Sequence, residues 1–360
     1  MRLSRALLCS LAPLAIGVFA IAPAQAQVTT AAPAAIANAP KASIQKIAVH
    51  GKALEGALEG DSASRDVFIV LPPSYAKNPK RRYPVVYALH GYSIGAQQWM
   101  SEIHVPQVIE GGMAQGAREM IFVFPDSKTA HNGSMYSSSA TTGDFETFIS
   151  RDLVAWVDSH YRTLARRESR GLVGHSMGGY GATRIGMKHA DVFGALYLMS
   201  PCCLSARGLF GVTPEAMKAY AAMKSPADSV NLQWAQRGTL AAAAAWSPNP
   251  KNPPLYLDLP LNSDGKTRDD VMAKWAANAP LAFVDQYIPN MRRYAAIAMD
   301  VGDKDGLKTD TETLHKVLET YGVTNSFTLY EGDHTNRVAF RFQEQVLPFF
   351  SQHLVFGGAK

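Results

Sequence analysis

Apolar residues in this chain gather in short unbroken runs. Residues 84–89, 120–124 and 195–200 lack the polar alternation of a half-exposed strand, and each run predicts a strand buried on both faces. Ahead of them, Ile44, Ile47 and Val49 and the run 66–71 read as two antiparallel edge strands, the second stopped by Pro72-Pro73. From Phe145 the period changes. Phe145, Phe148, Ile149, Leu153, Trp156, Val157 and Tyr161 fall at steps of three and four, one apolar helical stripe. Leu172-Val173 then begins a strand, and 295–300 and 326–330 predict two more. Between those two, Thr309-Asp310-Thr311-Glu312 reads as a capping box for a helix whose face is Leu314, Val317, Leu318 and Tyr321. A last helix runs from about 337 to 354, interrupted or bent at Pro348.

Strands that alternate with helices and carry no exposed face predict an α/β fold, a mainly parallel sheet with helices on both faces. Reactive groups should then gather at the carboxyl ends of the strands. Residues 204–290 break the rhythm. In that stretch 214–223 suits a helix, 253–260 an extended segment, and the alanines 241–245 either a helix or filler. It is expected to be an insertion lying over the strand ends of one domain spanning 43–356.

The ends of the chain and its charge narrow the setting. Arg2 and Arg5 precede an apolar run to Ala22, and Ala24-Gln25-Ala26 supplies a small-x-small cleavage pattern. Residues 1–26 therefore predict a secretory signal peptide, and an exported protein, periplasmic or secreted, after cleavage near Ala26. Residues 27–42, rich in Ala, Pro and Thr without periodicity, predict a disordered leader. Loss of two arginines and no acids takes the formal charge from +5 to +3, too mild and dispersed for nucleic acid. No later stretch is apolar enough for stable membrane insertion. Beyond Cys9 only the neighbours Cys202 and Cys203 remain. They offer no disulfide framework and are expected as free thiols after a core strand. No Cys/His or His/carboxylate cluster has metal-ligand spacing, so neither metal nor organic cofactor is expected.

The chemistry points to Leu172-Val173-Gly174-His175-Ser176-Met177-Gly178-Gly179, a strand feeding Gly-x-Ser-x-Gly and a helix-compatible run. That is the order of a nucleophile elbow, with Ser176 exposed on a strained turn and the Met177 N–H free at a helix start. The pentapeptide arises by chance often enough that its partners must carry the case. A serine hydroxyl needs a base, and the base an orienting acid, in the chain order Ser, Asp or Glu, His. His334 lies on the loop after the last strand, whereas His315 and His353 fall within helices. Asp303 and Asp305 share the preceding loop; Asp305 is preferred, and the carboxylate within hydrogen-bond distance of His334 decides. Asp300, at its strand end, reads as structural. A second oxyanion donor is expected from the loop after Leu89, with the Tyr92 N–H best placed and His90 a brace. Trp99, Met135 and Tyr136 are candidates to line an acyl pocket.

Leu89-His90-Gly91, Gly174-His175-Ser176-Met177-Gly178-Gly179, Gly302-Asp303-Lys304-Asp305-Gly306 and Gly332-Asp333-His334-Thr335 together resemble the putative-esterase family of α/β-hydrolases. That family takes in esterase D or S-formylglutathione hydrolase, feruloyl esterases and the mycolyltransferases of the antigen 85 group. The likeness runs from about residue 43 onward. It implies an α/β-hydrolase fold with Ser176 as nucleophile, Asp305 as acid, His334 as base, and backbone N–H groups of Met177 and Tyr92 in the oxyanion hole. The export signal sets the chain apart from the cytosolic formylglutathione enzymes. The expected function is an exported serine esterase acting on a small-molecule or polysaccharide-linked ester. An acyltransferase using the same acyl-enzyme, or a non-catalytic binding protein on the same scaffold, are its rivals.

Overall fold

One eight-stranded sheet organises the protein, here described from a computed structural model that covers residues 30–206 and 212–357. Its strands are β1 Ser43–His50, β2 Ser64–Leu71, β3 Val85–Leu89, β4 Ile121–Pro125, β5 Arg170–His175, β6 Ala195–Met199, β7 Ala296–Gly302 and β8 Ser326–Tyr330. They lie in the order β1-β2-β4-β3-β5-β6-β7-β8. The first two pair antiparallel, from Ser43 opposite Leu71 to His50 opposite Ser64, and β2 runs antiparallel to β4. All the remaining pairs are parallel. Each residue of β3, β4, β5 and β6 is buried, as the continuous apolar runs require, and the outermost strands β1 and β8 are largely exposed.

The pleat sends alternate side chains into two cores. Val85, Tyr87 and Leu89 join one, under α3 (Leu153–His160), α4 (Met177–Lys188) and the inserted segment. Val86 and Ala88 join the other, under Trp99, Val108, Phe342 and Phe350 from the helices on the opposite face. Those helices include α1 (Ala96–Glu102) and α2 (Gln107–Ala114).

The insertion carries α5 (Pro214–Ala221), α6 (Trp234–Trp246) and α7 (Asp269–Ala277). The alanine run belongs to α6, and Ala241 to Ala245 are all buried. Residues 253–260 were expected to be extended; they are mostly turn, tied by a bridge between Pro248 and Leu257.

Three other expectations change. The helix α8 (Lys308–Thr320) starts ahead of Thr309 with Leu307 as its N-cap and no side-chain cap, so the capping box does not form. Its entry is held by Asp305, which accepts the Leu307 N–H at 2.9 Å. The final helix, for which an interruption or a bend at Pro348 was expected, is interrupted just ahead of the proline. It opens into a π turn over Phe342–Val346 and resumes as α9 (Leu347–His353), which spares the proline ring a clash with the preceding turn. The disordered leader expected over 27–42 also differs where it is described. Residues 30–42 hold no helix and no strand, yet they are tied down. The Thr30 hydroxyl donates to Asn336 O and accepts from Ala339 N–H, and the Ala42 N–H and Lys41 Nζ both bond to Glu110. These bonds tie the stretch at both ends to the helices of one face, through two side chains and the Ala42 N–H. The signal peptide expected over 1–26 lies outside the described residues.

Candidate active site

At the carboxyl end of β5 the chain turns through Ser176, at φ 58° and ψ −117°, and enters α4. A non-glycine residue there is strained and needs support on both sides. Ser176 N–H donates to Met199 O at 3.1 Å and Cys202 N–H donates to Ser176 O at 3.0 Å, which pins the turn to the end of β6. Strand and helix approach so closely that a Cβ at Gly174 would overlap the Gly178 carbonyl, and one at Gly178 the Leu89 carbonyl. These two glycines are the steric condition of the elbow.

Two loops at the same sheet end bring in the partners. The loop after β7 carries Asp305 and the loop after β8 carries His334. The Ser176 hydroxyl donates to His334 Nε2 at 2.9 Å, and His334 Nδ1–H donates to Asp305 Oδ2 at 2.8 Å. The Asp305 side chain is 2% exposed and that of His334 35%. Burial opposes ionisation of Asp305, but the hydrogen bond and charge of His334 and the Leu307 N–H hold its carboxyl below the usual 3.8. Asp303 faces solvent, and its Oδ1 accepts the Gly332 N–H at 2.8 Å, joining the two loops. Asp300 is buried against the Tyr197 hydroxyl at 2.7 Å and the Arg341 Nε at 2.8 Å, below the reactive end.

The Met177 N–H lies in the first turn of α4, where a helix leaves its N–H groups without internal acceptors. Tyr92 stands on the loop after β3. That loop is braced by His90, whose Nδ1–H donates to Gly91 O at 2.8 Å while Nε2 accepts the Ser127 N–H at 2.8 Å. The two bonds fix its tautomer, and burial keeps the ring neutral by lowering its pKa.

Among the three acyl-pocket candidates the structure separates one from two. Met135 lines the cavity in front of Ser176. Trp99 does not: it is fully buried under the other face of the sheet, edge-on to Phe124 and Phe342. Tyr136 is also fully buried, and its hydroxyl donates to His90 O at 3.0 Å, which makes it a second brace of the loop after β3. The cavity measures about 280 Å³, and α6 forms one wall of it through Trp234, Gly238, Ala242 and Trp246. Trp234 meets the Tyr92 ring edge-on at 5.3 Å. The insertion thus covers the strand ends. Cys202 and Cys203, both free, line the same cavity, and burial pushes the Cys202 thiol well up, so it stays protonated.

His175 was missed by sequence reasoning. Its Nε2–H donates to the His334 main-chain oxygen at 2.8 Å, and the two rings lie 4.8 Å apart. Burial, reinforced by the charge of His334, lowers its pKa to about 3, so the ring is neutral and ties the serine strand to the base loop. The middle positions of Gly-x-Ser-x-Gly carry no periodicity that could have flagged it. Among the described residues no group of three or more His, Cys, Asp or Glu is arranged to hold a metal ion, and no helix is long and apolar enough to cross a membrane.

A family model described as "Putative esterase" matches residues 62–348. An esterase of Mycobacterium tuberculosis is 30% identical over 130 residues, 35% of this chain and 27% of its own length. The match therefore spans about a quarter of that relative. An endo-1,4-beta-xylanase/feruloyl esterase of Xylanibacter ruminicola is 28% identical over 138 residues, 37% of this chain and 19% of its own. Among solved structures, a ferulic acid esterase superposes with a TM-score of 0.63 at 23% identity, covering 87% of this chain and 99% of its own. The S-formylglutathione hydrolase of Staphylococcus aureus superposes with a TM-score of 0.56 at 14% identity, covering 86% and 98%. At such identities these superpositions speak to the fold, which is that of the α/β-hydrolases.

Proposed function

The chain belongs to the "Putative esterase" family of carboxylic ester hydrolases, and from that premise we propose that it is an exported serine esterase working through an acyl-enzyme. The observation that carries the reading is the unbroken hydrogen-bond chain from Ser176 through His334 to Asp305, 2.9 and 2.8 Å, at the mouth of an apolar cavity.

Ser176 Oγ attacks the ester carbonyl carbon as its proton passes to His334 Nε2. Asp305, charged and buried, keeps the Nδ1 proton of the ring in place and stabilises the imidazolium that forms. The carbonyl oxygen becomes an oxyanion facing the N–H groups of Met177 and Tyr92. Collapse expels the alcohol, which takes the proton from Nε2 and leaves Ser176 acylated. Water then attacks the acyl carbon, giving its proton to Nε2; the second collapse releases the acid and returns that proton to Ser176. The one-third exposure of His334 gives water a route to the base. Arg2, Arg5, the apolar run to Ala22 and the Ala24-Gln25-Ala26 site support export and cleavage near Ala26.

The test is labelling with a fluorophosphonate, beside hydrolysis of p-nitrophenyl esters with and without an added alcohol. Wild type is expected to be labelled and to hydrolyse. Ser176→Ala is expected to lose the label and at least about 10⁴-fold in kcat. Folded wild type that takes no label overturns the reading in favour of a binding protein, and acyl transfer that displaces hydrolysis when alcohol is added turns it into a transferase.

A further inference from the structure

Glycine inside a helix destabilises it relative to alanine, because its unfolded backbone has more freedom to lose. Each helical glycine therefore calls for a reason. For Gly111 and Gly112 of α2 and the four glycines of α4 the reason is packing. A Cβ on any of them would come within 3.0 Å of a neighbouring heavy atom. Gly238 in α6 is different. A Cβ there would meet nothing closer than the Tyr92 side chain, at 3.6 Å, an ordinary van der Waals contact, and its backbone is not in the left-handed region. The same helix goes on to use alanine at 241–245. The fold has room for a methyl group at 238 and would gain stability from it.

What the missing methyl leaves open is the cavity in front of Ser176. Ala235, Gly238 and Ala242 all line it, at spacings of three and four that place them on one face of α6. Trp234 and Trp246 close the ends of that face. Apart from Asp305, His175 and His334, no Asp, Glu, Lys, Arg or His side chain lines the cavity. At about 280 Å³ it far exceeds what an acetyl group fills.

We propose that Gly238 is a specificity-determining position: it holds open, against the Tyr92 ring, the space that seats an uncharged apolar acyl group larger than acetyl. This inference rests on the serine esterase reading above. Substrate, rather than packing, keeps the residue a glycine.

The experiment compares wild type, Gly238→Ala and Gly238→Leu on p-nitrophenyl acetate, octanoate and cinnamate, and on acetates of small and bulky alcohols, with Tm measured for each protein. In Gly238→Ala the kcat/KM ratio of the larger acyl esters to acetate is expected to fall on the order of tenfold, and further in Gly238→Leu. Its Tm is expected to rise by about 1–3 °C. Ratios within twofold of wild type in both variants overturn the proposal. So does a change confined to the alcohol series, or a fall in the Tm of Gly238→Ala, which would return the glycine to packing. Wild type that hydrolyses none of these esters fails the parent reading instead, and removes this one with it.

Discussion

Exchanging Asp305 for asparagine puts the proposed triad under the sharpest stress, because both oxygens of that carboxylate are in use. Oδ2 accepts from His334 Nδ1–H at 2.8 Å and Oδ1 accepts from Leu307 N–H at 2.9 Å, with the side chain almost sealed from water. An amide can accept with only one end. If its oxygen turned to His334, the NH₂ would face the Leu307 N–H, donor against donor, at about 1–3 kcal/mol for buried groups left unpaired. Keeping the Leu307 bond avoids that cost and sends the NH₂ toward His334 Nδ1. The imidazole must then carry its proton on Nε2, where it can no longer accept from Ser176. A wrong tautomer of this kind costs about 10⁴-fold in kcat, or about 5 kcal/mol of transition-state stabilisation. Asp303→Asn is the control. Its one bond, to the Gly332 N–H, is made by an oxygen that asparagine retains, and the group is exposed; kcat should stay within about threefold. Steady-state hydrolysis of a p-nitrophenyl ester, with circular dichroism to verify folding, reads both. Loss in Asp303→Asn with Asp305→Asn within tenfold of wild type would refute the assignment. Because the Asp305 carboxyl is held below its ordinary 3.8 by His334 and the Leu307 N–H, its protonation should not limit wild-type activity near neutral pH.

Two further expectations concern the frame around the site. Glu146 accepts from Arg184 Nε at 2.7 Å and Lys188 Nζ at 3.0 Å; burial opposes its ionisation, but the His189 hydrogen bond and the two cations hold its carboxyl at about 2. With an unfolded value of 4.5, it contributes about 3 kcal/mol that is fully present above pH 4.5 and fades as pH falls toward 2. Glu146→Gln should lower stability at neutral pH by an amount of that order and flatten the acid-side decline; urea titrations from pH 2.5 to 7 with parallel slopes for the two proteins would contradict it. Gly178→Ala drives a methyl into the Leu89 carbonyl, which backbone pairing prevents from moving, and should cost at least about 3 kcal/mol. Soluble, fully active Gly178→Ala in a thermal melt and rate assay would show that the elbow tolerates more than its geometry allows.

Burial and chain order made much of this legible beforehand. Runs such as 84–89 and 195–200 announced central strands because a residue without alternation has no face to give to water. Ser176, Asp305 and His334 could be picked out because each follows a strand, so the sheet delivers them to one edge. Side chains that act by direction were less legible. Trp99 looked like a pocket residue by type, but its spacing with Ala96, Met100 and Ile103 is that of a helical core stripe, and the structure buries all four. Tyr136 was right in position and wrong in aim, since its hydroxyl is claimed by His90 O. α6 was obscured because five alanines in a row show no contrast between faces, and only the Trp234 and Trp246 rings mark which side meets the cavity. His175 gave no signal at all, because its bond goes to a main-chain oxygen 159 positions away.

The cavity wall and the reactive groups sit on pieces of chain with different obligations. Ser176, Asp305 and His334 lie just past the carboxyl ends of β5, β7 and β8, strands of one parallel ladder, so strand register sets where each of their turns and loops begins. α6 belongs to an excursion, leaving after β6 and rejoining at β7, two strands that their pairing holds side by side. Lengthening such an excursion adds little closure entropy, about 0.6 kcal/mol for each doubling. The excursion can therefore change in length while the ladder keeps its register, which leaves the cavity wall freer to vary than the groups it faces.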